Sequence, residues 1–191
     1  MNFFDFFVLL LIVFFTMFYV REQYTEVEYV KSTIDGEKYL VKTNKNSQEV
    51  ADKLAKMNDK FLKIIKIAQD EYPDDPRVVF MKNNYNSNQL SESTKDEKYT
   101  SYSVNKEKIL FCLIARDKDG QLIDDNTLTY VGVHELAHLA TDEIGHTDTY
   151  WENFKWLLNI ARDNGLYLYE DYSINPKPYC GIEITSNILD N

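Results

Sequence analysis

Within His134-Glu135-Leu136-Ala137-His138 the chain fixes both a local conformation and a chemistry. Two histidines four residues apart lie one turn apart on a single face of an α-helix, so both imidazoles can be aimed at one ion. All three histidines of the 191-residue chain fall between His134 and His146. Val133, Leu136, Ala137 and Ala140 occupy the opposite side of the same helix and can pack into a core. The segment therefore predicts a helix beginning at Asp125, whose carboxylate would cap it, and ending near Thr141. Glu135 is offset from the histidine face, placed to reach a metal-associated water without ligating the ion. This is the His-Glu-x-x-His arrangement of zinc peptidases.

A catalytic zinc site uses three protein ligands and leaves one position open. His146 is the candidate for the third, since Gly145 lets the chain turn back after the helix. Asp142, Glu143 and Asp148 are oxygen-bearing rivals in the same loop. A second amphipathic helix is expected from Asp148 to Asn164, capped by Thr147 or Asp148. Its stripe of Tyr150, Trp151, Phe154, Leu157, Leu158 and Ala161 reads as core that locks the His146 loop against the ligand helix.

Phe3 to Val20 is apolar except for Asp5 and Thr16, a run of the about 18–20 residues that a spanning helix requires. No Lys or Arg precedes it and no small-residue cleavage site follows, so it reads as a retained single-pass anchor rather than a cleaved signal. Arg21 marks its edge. Sparse cysteine and the lack of an Asn-x-Ser/Thr site lean toward the cytosolic side for the rest of the chain. The expected divisions are an anchor over 1–21, a β-hairpin and linker over 22–45, and a catalytic domain over 46–191.

Asp35-Gly36 between alternating runs predicts the hairpin. A long helix should follow from Asn46 or Ser47, with Val50, Leu54, Met57, Phe61, Ile64 and Ala68 on one face, ending before Pro73. Val78–Met81, Tyr99–Val104, Lys108–Arg116 and Leu166–Tyr169 are strand candidates. The stretches 82–98, 117–120 and 175–178 read as loops or turns. Cys112, in an apolar run, reads as a buried small residue; a single disulfide to Cys180 is open, with packing the default for both.

Apolar residues make up 44% and charged residues 27%, enough to build a core. The 21 basic against 31 acidic residues give a formal charge of -10, which argues against nucleic acid as a partner.

The histidine cluster, together with Gly145-His146, Tyr150-Trp151 and Phe154, resembles the WLM and SprT groups of zinc metallopeptidases. The nearest likeness is to WLM-like peptidases of large DNA viruses, through Tyr99–Tyr102, Asp124–Leu128 and Tyr179–Gly181. It spans about residues 46 to 184. The gap from His138 to His146 is longer than the usual WLM gap and shorter than the usual SprT gap. The resemblance implies a viral protein with a compact zincin-like α+β domain: an active-site helix, a small sheet and backing helices, here behind a transmembrane helix. It implies Zn2+ at His134, His138 and His146, Glu135 as acid and base, and a protein or peptide substrate.

The expected function is a membrane-anchored zinc metallopeptidase. Tyr172, Tyr179, an arginine or backbone amides are candidates to stabilise the oxyanion. Three alternatives stand beside it. One is a membrane adaptor with a structural zinc closed by Asp142, Glu143 or Cys180. Another is a DNA-associated protease of the WLM/SprT type, and the third is a secreted peptidase.

Overall fold

The computed structural model describes residues 3–24, 27–93, 101–104, 108–115 and 121–190. In chain order these form α1 (Phe3–Tyr24), β1 (Val27–Lys31), β2 (Lys38–Lys42), α2 (Ser47–Glu71), α3 (Pro76–Asn84) and β3 (Leu90–Glu92). After these come β4 (Ser101–Val104), β5 (Lys108–Phe111), α4 (Asp125–Ala140), α5 (Asp148–Asp163), β6 (Lys177–Tyr179) and β7 (Ile182–Ile184). The architecture is α+β.

Periodicity accounts for α2. Val50, Leu54, Met57, Phe61, Ile64 and Ala68, spaced by three and four, are all buried. Each large apolar side chain among them contributes about 1.5–3 kcal/mol of burial. This face packs on the sheet and against α3, α4 and α5. The sheet runs β1-β2-β3-β5-β4. β1 and β2 are the expected antiparallel hairpin, and β4 pairs antiparallel with β5. β3 lies parallel to both β2 and β5, which joins the hairpin to the remaining strands.

Gly132 sets how closely α4 approaches α2. A Cβ there would lie 2.6 Å from Met57 Sδ and 3.1 Å from Phe61 Cε1, so only glycine fits without a shift of those buried side chains.

The N-terminal run forms α1, but the anchor read into it is not upheld. Among the described residues no helix is long and apolar enough to cross a membrane. Between the charged residues Asp5 and Arg21 the helix carries only 15 residues, Thr16 among them. That is fewer than the about 20 consecutive apolar residues a spanning helix needs. The transmembrane element of the fold class and the single-pass localisation are withdrawn with it.

Four local expectations are also corrected. Val78–Met81 is helical: Asp75 accepts from the Arg77 N–H at 2.9 Å and Pro76 sits in the first turn, a strong start for α3. Val78 and Met81, three apart, then share its buried side. The stretch 82–98 is not simply loop, because it contains β3. There the buried Glu92 accepts from the Lys42 N–H at 2.7 Å, a role its charge conceals in sequence. Leu166–Tyr169 forms no ladder. The Asn126 side chain takes the place of a neighbouring strand, accepting from Leu168 N–H and donating to Leu168 C=O, both at 2.8 Å. The stretch expected as loop at 175–178 instead leads into β6, which pairs with β7 across Cys180-Gly181. The turn expected at 117–120 and residues 99–100 of the fourth strand lie outside the described residues.

Candidate metal centre

Helix α4 carries the first two imidazoles and is fixed at both ends. Its cap is Asp124, not Asp125: the Asp124 carboxylate accepts from Asn126 N–H at 3.1 Å and Thr127 N–H at 2.9 Å. Asp125 instead forms an ion pair with Lys53 of α2. At the other end the Thr141 hydroxyl donates to Ala137 C=O at 2.8 Å and accepts from the Asn153 amide of α5 at 2.9 Å. The chain reverses through Gly145 at φ +91°, a conformation that disfavours a side chain. Thr147 then caps α5, accepting from the Tyr150 N–H at 3.3 Å.

This reversal returns His146 to the first two. The candidate ligand atoms of His134, His138 and His146 all lie within 4.8 Å of one another. The Nε2 atoms of His134 and His146 are 3.2 Å apart. Two nitrogens bound tetrahedrally at the about 2.0–2.1 Å typical of zinc would sit about 3.3 Å apart, so this spacing suits that ion. The rival carboxylates of Asp142, Glu143 and Asp148 do not belong to the cluster. Glu143 accepts instead from the Thr149 hydroxyl at 3.2 Å.

Tyr150 lies beneath all three rings. Its ring stacks on His138 at 4.3 Å and meets His146 at 4.7 Å and His134 at 5.3 Å. Its hydroxyl donates to His134 C=O at 3.1 Å. Trp151 stacks on His146 at 5.3 Å and Phe154 meets His134 edge-on at 5.3 Å. Of the α5 stripe expected as core, Tyr150, Phe154, Leu157, Leu158 and Ala161 are buried while Trp151 is exposed, and its aromatic rings are also the direct support of the imidazoles. The Tyr150 contact went unread because an aromatic at helical spacing gives no sign of what its hydroxyl reaches.

Glu135 is 3% exposed, and its Oε2 has no hydrogen-bond partner among the described residues. Burial pushes its carboxyl up to about 8. An orphaned buried carboxylate oxygen is costly unless a ligand or water meets it. Burial, followed by the neighbouring imidazoles of His138 and His146, depresses His134 to about 3. His134 is thus held in the neutral form that a metal requires. Burial also lowers His146, which is the most exposed of the three and marks the open side.

Cys112 and Cys180 are joined in a disulfide, a correction to the default of simple packing. Cys180 is therefore not available as the closing ligand of a structural zinc. Tyr172 and Tyr179 are both buried. The Tyr172 hydroxyl accepts from that of Tyr167 at 3.2 Å. The phenol that reaches the histidines is Tyr150.

Comparison with known proteins places the chain among proteins of large DNA viruses. It is 36% identical over 188 residues to "Uncharacterized protein R325" of Acanthamoeba polyphaga mimivirus, covering 95% of this chain and 94% of the relative. The chain belongs to the family of that mimivirus protein. The chain is also 39% identical over 85 residues to "Uncharacterized protein 136R" of Invertebrate iridescent virus 6, which are 43% of this chain and 47% of the relative. It is 40% identical over 72 residues to "Uncharacterized protein 042R" of Invertebrate iridescent virus 3, 37% of this chain and 44% of the relative. No family model matches, and no solved structure matches.

Proposed function

We propose that this protein is a zinc-dependent peptidase related to the WLM and SprT groups. One observation carries the reading: three imidazoles converge, and Glu135, next to His134 in the ligand helix, has a buried carboxylate whose Oε2 has no partner among the described residues. The donor set fits zinc, with three imidazoles from a helix and the loop that follows it.

His134, His138 and His146 would hold the zinc, which would supply Lewis acidity toward a carbonyl oxygen and a water molecule. Glu135 accepts the proton of the attacking water at Oε2 and delivers it to the departing amine nitrogen. Tyr150 holds the three rings in one arrangement and anchors the His134 main chain. The exposed edge of His146 leaves room for an extended chain to approach. The disulfide of Cys180 weakens the structural-zinc adaptor, and the charge of -10 weakens the DNA-associated reading.

The test is metal content and turnover of the full chain. One zinc per chain is expected, lost in His134→Ala and His138→Ala. Glu135→Gln should keep zinc and fold while hydrolysis of an unfolded protein substrate drops by at least about 10²-fold. Full zinc in both histidine variants, or undiminished hydrolysis in Glu135→Gln, would overturn the proposal.

A further inference from the structure

Beside His134 lies a cleft of about 570 Å³. Tyr130, Phe154 and Trp151 form its aromatic side, and the run 182–186 forms the facing wall. Alternate residues of a strand point to opposite faces. All three consecutive residues of β7, Ile182–Ile184, border the cleft, as they do when a strand presents its edge, and the two residues after it continue the wall.

The pairing agrees. Among the described residues β7 is paired with β6 alone in a two-stranded sheet. Cys180 and Gly181 form a two-residue turn with φ of +50° and +92°, the type I′ pattern. Tyr179 and Ile182, which flank the turn, are the hydrogen-bonded pair, so Glu183 opposite Pro178 is in the non-hydrogen-bonded pair. The N–H and C=O of Glu183 therefore point away from β6, toward the edge that no described strand pairs.

The wall is held at both ends. The disulfide ties Cys180 to the end of β5. The Tyr130 hydroxyl donates to Ser186 C=O at 3.2 Å and accepts from Ile188 N–H at 3.3 Å. Two large apolar side chains at the cleft stay open to solvent, Ile182 at 54% and Trp151 at 39%.

We propose that the free edge of β7 takes an extended peptide as an added strand, with one large apolar side chain seated on Tyr130, Phe154 and Trp151. Main-chain pairing gives affinity in this mode and the aromatic floor gives selectivity. The edge and the floor both adjoin His134, so a seated segment would lie next to the bond offered to the triad. This rests on the peptidase reading and names the substrate it selects: an extended or unfolded segment with a bulky apolar residue flanking the cleavage point.

The probes are fluorescent, end-blocked pentapeptide amides with Leu, Phe, Asp or Lys at the centre. Binding is measured by polarisation to full-chain Glu135→Gln, with zinc and again with chelator. Leu and Phe peptides should bind at least about ten-fold tighter than Asp and Lys peptides, the worth of one well-filled apolar pocket. Ile182→Asp, an exposed site whose fold is checked by circular dichroism, should remove that preference. N-methylation of the central amide should weaken the Leu peptide by about ten-fold, a result that depends on no protein variant. Equal binding of all four peptides, or an unaffected N-methylated peptide, would overturn the proposal. Selective binding without hydrolysis by the parent protein would sink the peptidase reading and leave the docking edge. Hydrolysis without selectivity would do the reverse.

Discussion

Cutting the Cys112–Cys180 disulfide should cost a large share of the stability of this fold. The two cysteines are 68 residues apart in sequence, and the loop they close contains all of α4 and α5. In the chain-entropy account a cross-link closing 15 residues is worth about 3 kcal/mol and one closing 100 about 4.7 kcal/mol, so this one should be worth about 4 kcal/mol. Domains of this size are stable by about 5–15 kcal/mol. Both cysteines are buried, so Cys112→Ser with Cys180→Ser adds buried hydroxyls to the lost cross-link, whereas reduction leaves the packing atoms in place.

The assay is urea unfolding of the full chain, zinc chelated throughout, followed by tryptophan fluorescence with and without a thiol reductant. With a urea dependence of about 2 kcal/mol per molar, the midpoint should fall by about 2 M on reduction. Mass spectrometry confirms the bond before and its loss after. A midpoint shift below about 0.5 M with the bond verifiably reduced would refute the argument.

Two further effects follow from the geometry around the ligand helix. Tyr150→Phe keeps the ring under the histidines but removes the bond to His134 C=O, so zinc affinity by chelator competition should fall about three- to ten-fold with the fold intact; an unchanged affinity would count against Tyr150 as a positioning residue. Asp124→Ala should destabilise by about 0.5–2 kcal/mol in the same urea assay. Burial alone would raise the Asp124 carboxyl, yet its hydrogen bonds from Thr127, with help from Lys177 and Asn126, hold it below the usual carboxylate value. The cap's contribution is therefore complete above the unfolded carboxylate pKa and is lost as pH falls through the lower folded value. The gap between parent and Asp124→Ala should accordingly close in strong acid, and a gap that persists there would refute the linkage.

Where a residue's neighbours are local, the sequence was informative. The α2 stripe, the β1–β2 hairpin and the His134/His138 pair depend on spacings of two to four residues, and each is found as read. Gly145 and Thr147 likewise announced the turn that brings His146 back. Long-range partners were invisible. Leu166–Tyr169 looks like a strand because its hydrophobic character is right, but its main chain meets Ala161 C=O and the Asn126 side chain in place of a ladder. β3 has only three residues, and its Glu92 is buried against a main-chain N–H fifty positions earlier. Cys112 in an apolar run looks the same whether or not a distant cysteine meets it. The apolar run at the N-terminus signalled a helix correctly, whereas a membrane span was more than the described helix carries.

The close contact behind Gly132 bears on how finely the proposed metal centre is placed. Gly132 lies on the far side of α4 from His134, two residues away, so the α2–α4 contact acts as a depth stop for the ligand helix. A methyl group there would need about 1 Å more clearance from Met57 Sδ than the 2.6 Å available. Metal–ligand distances tolerate only about 0.2 Å. If the helix yields instead of the methionine, the imidazoles travel outward by several times that tolerance while every ligand remains present. The calibration of the site thus resides in a missing side chain on the reverse of the helix, where no inventory of ligands would look for it.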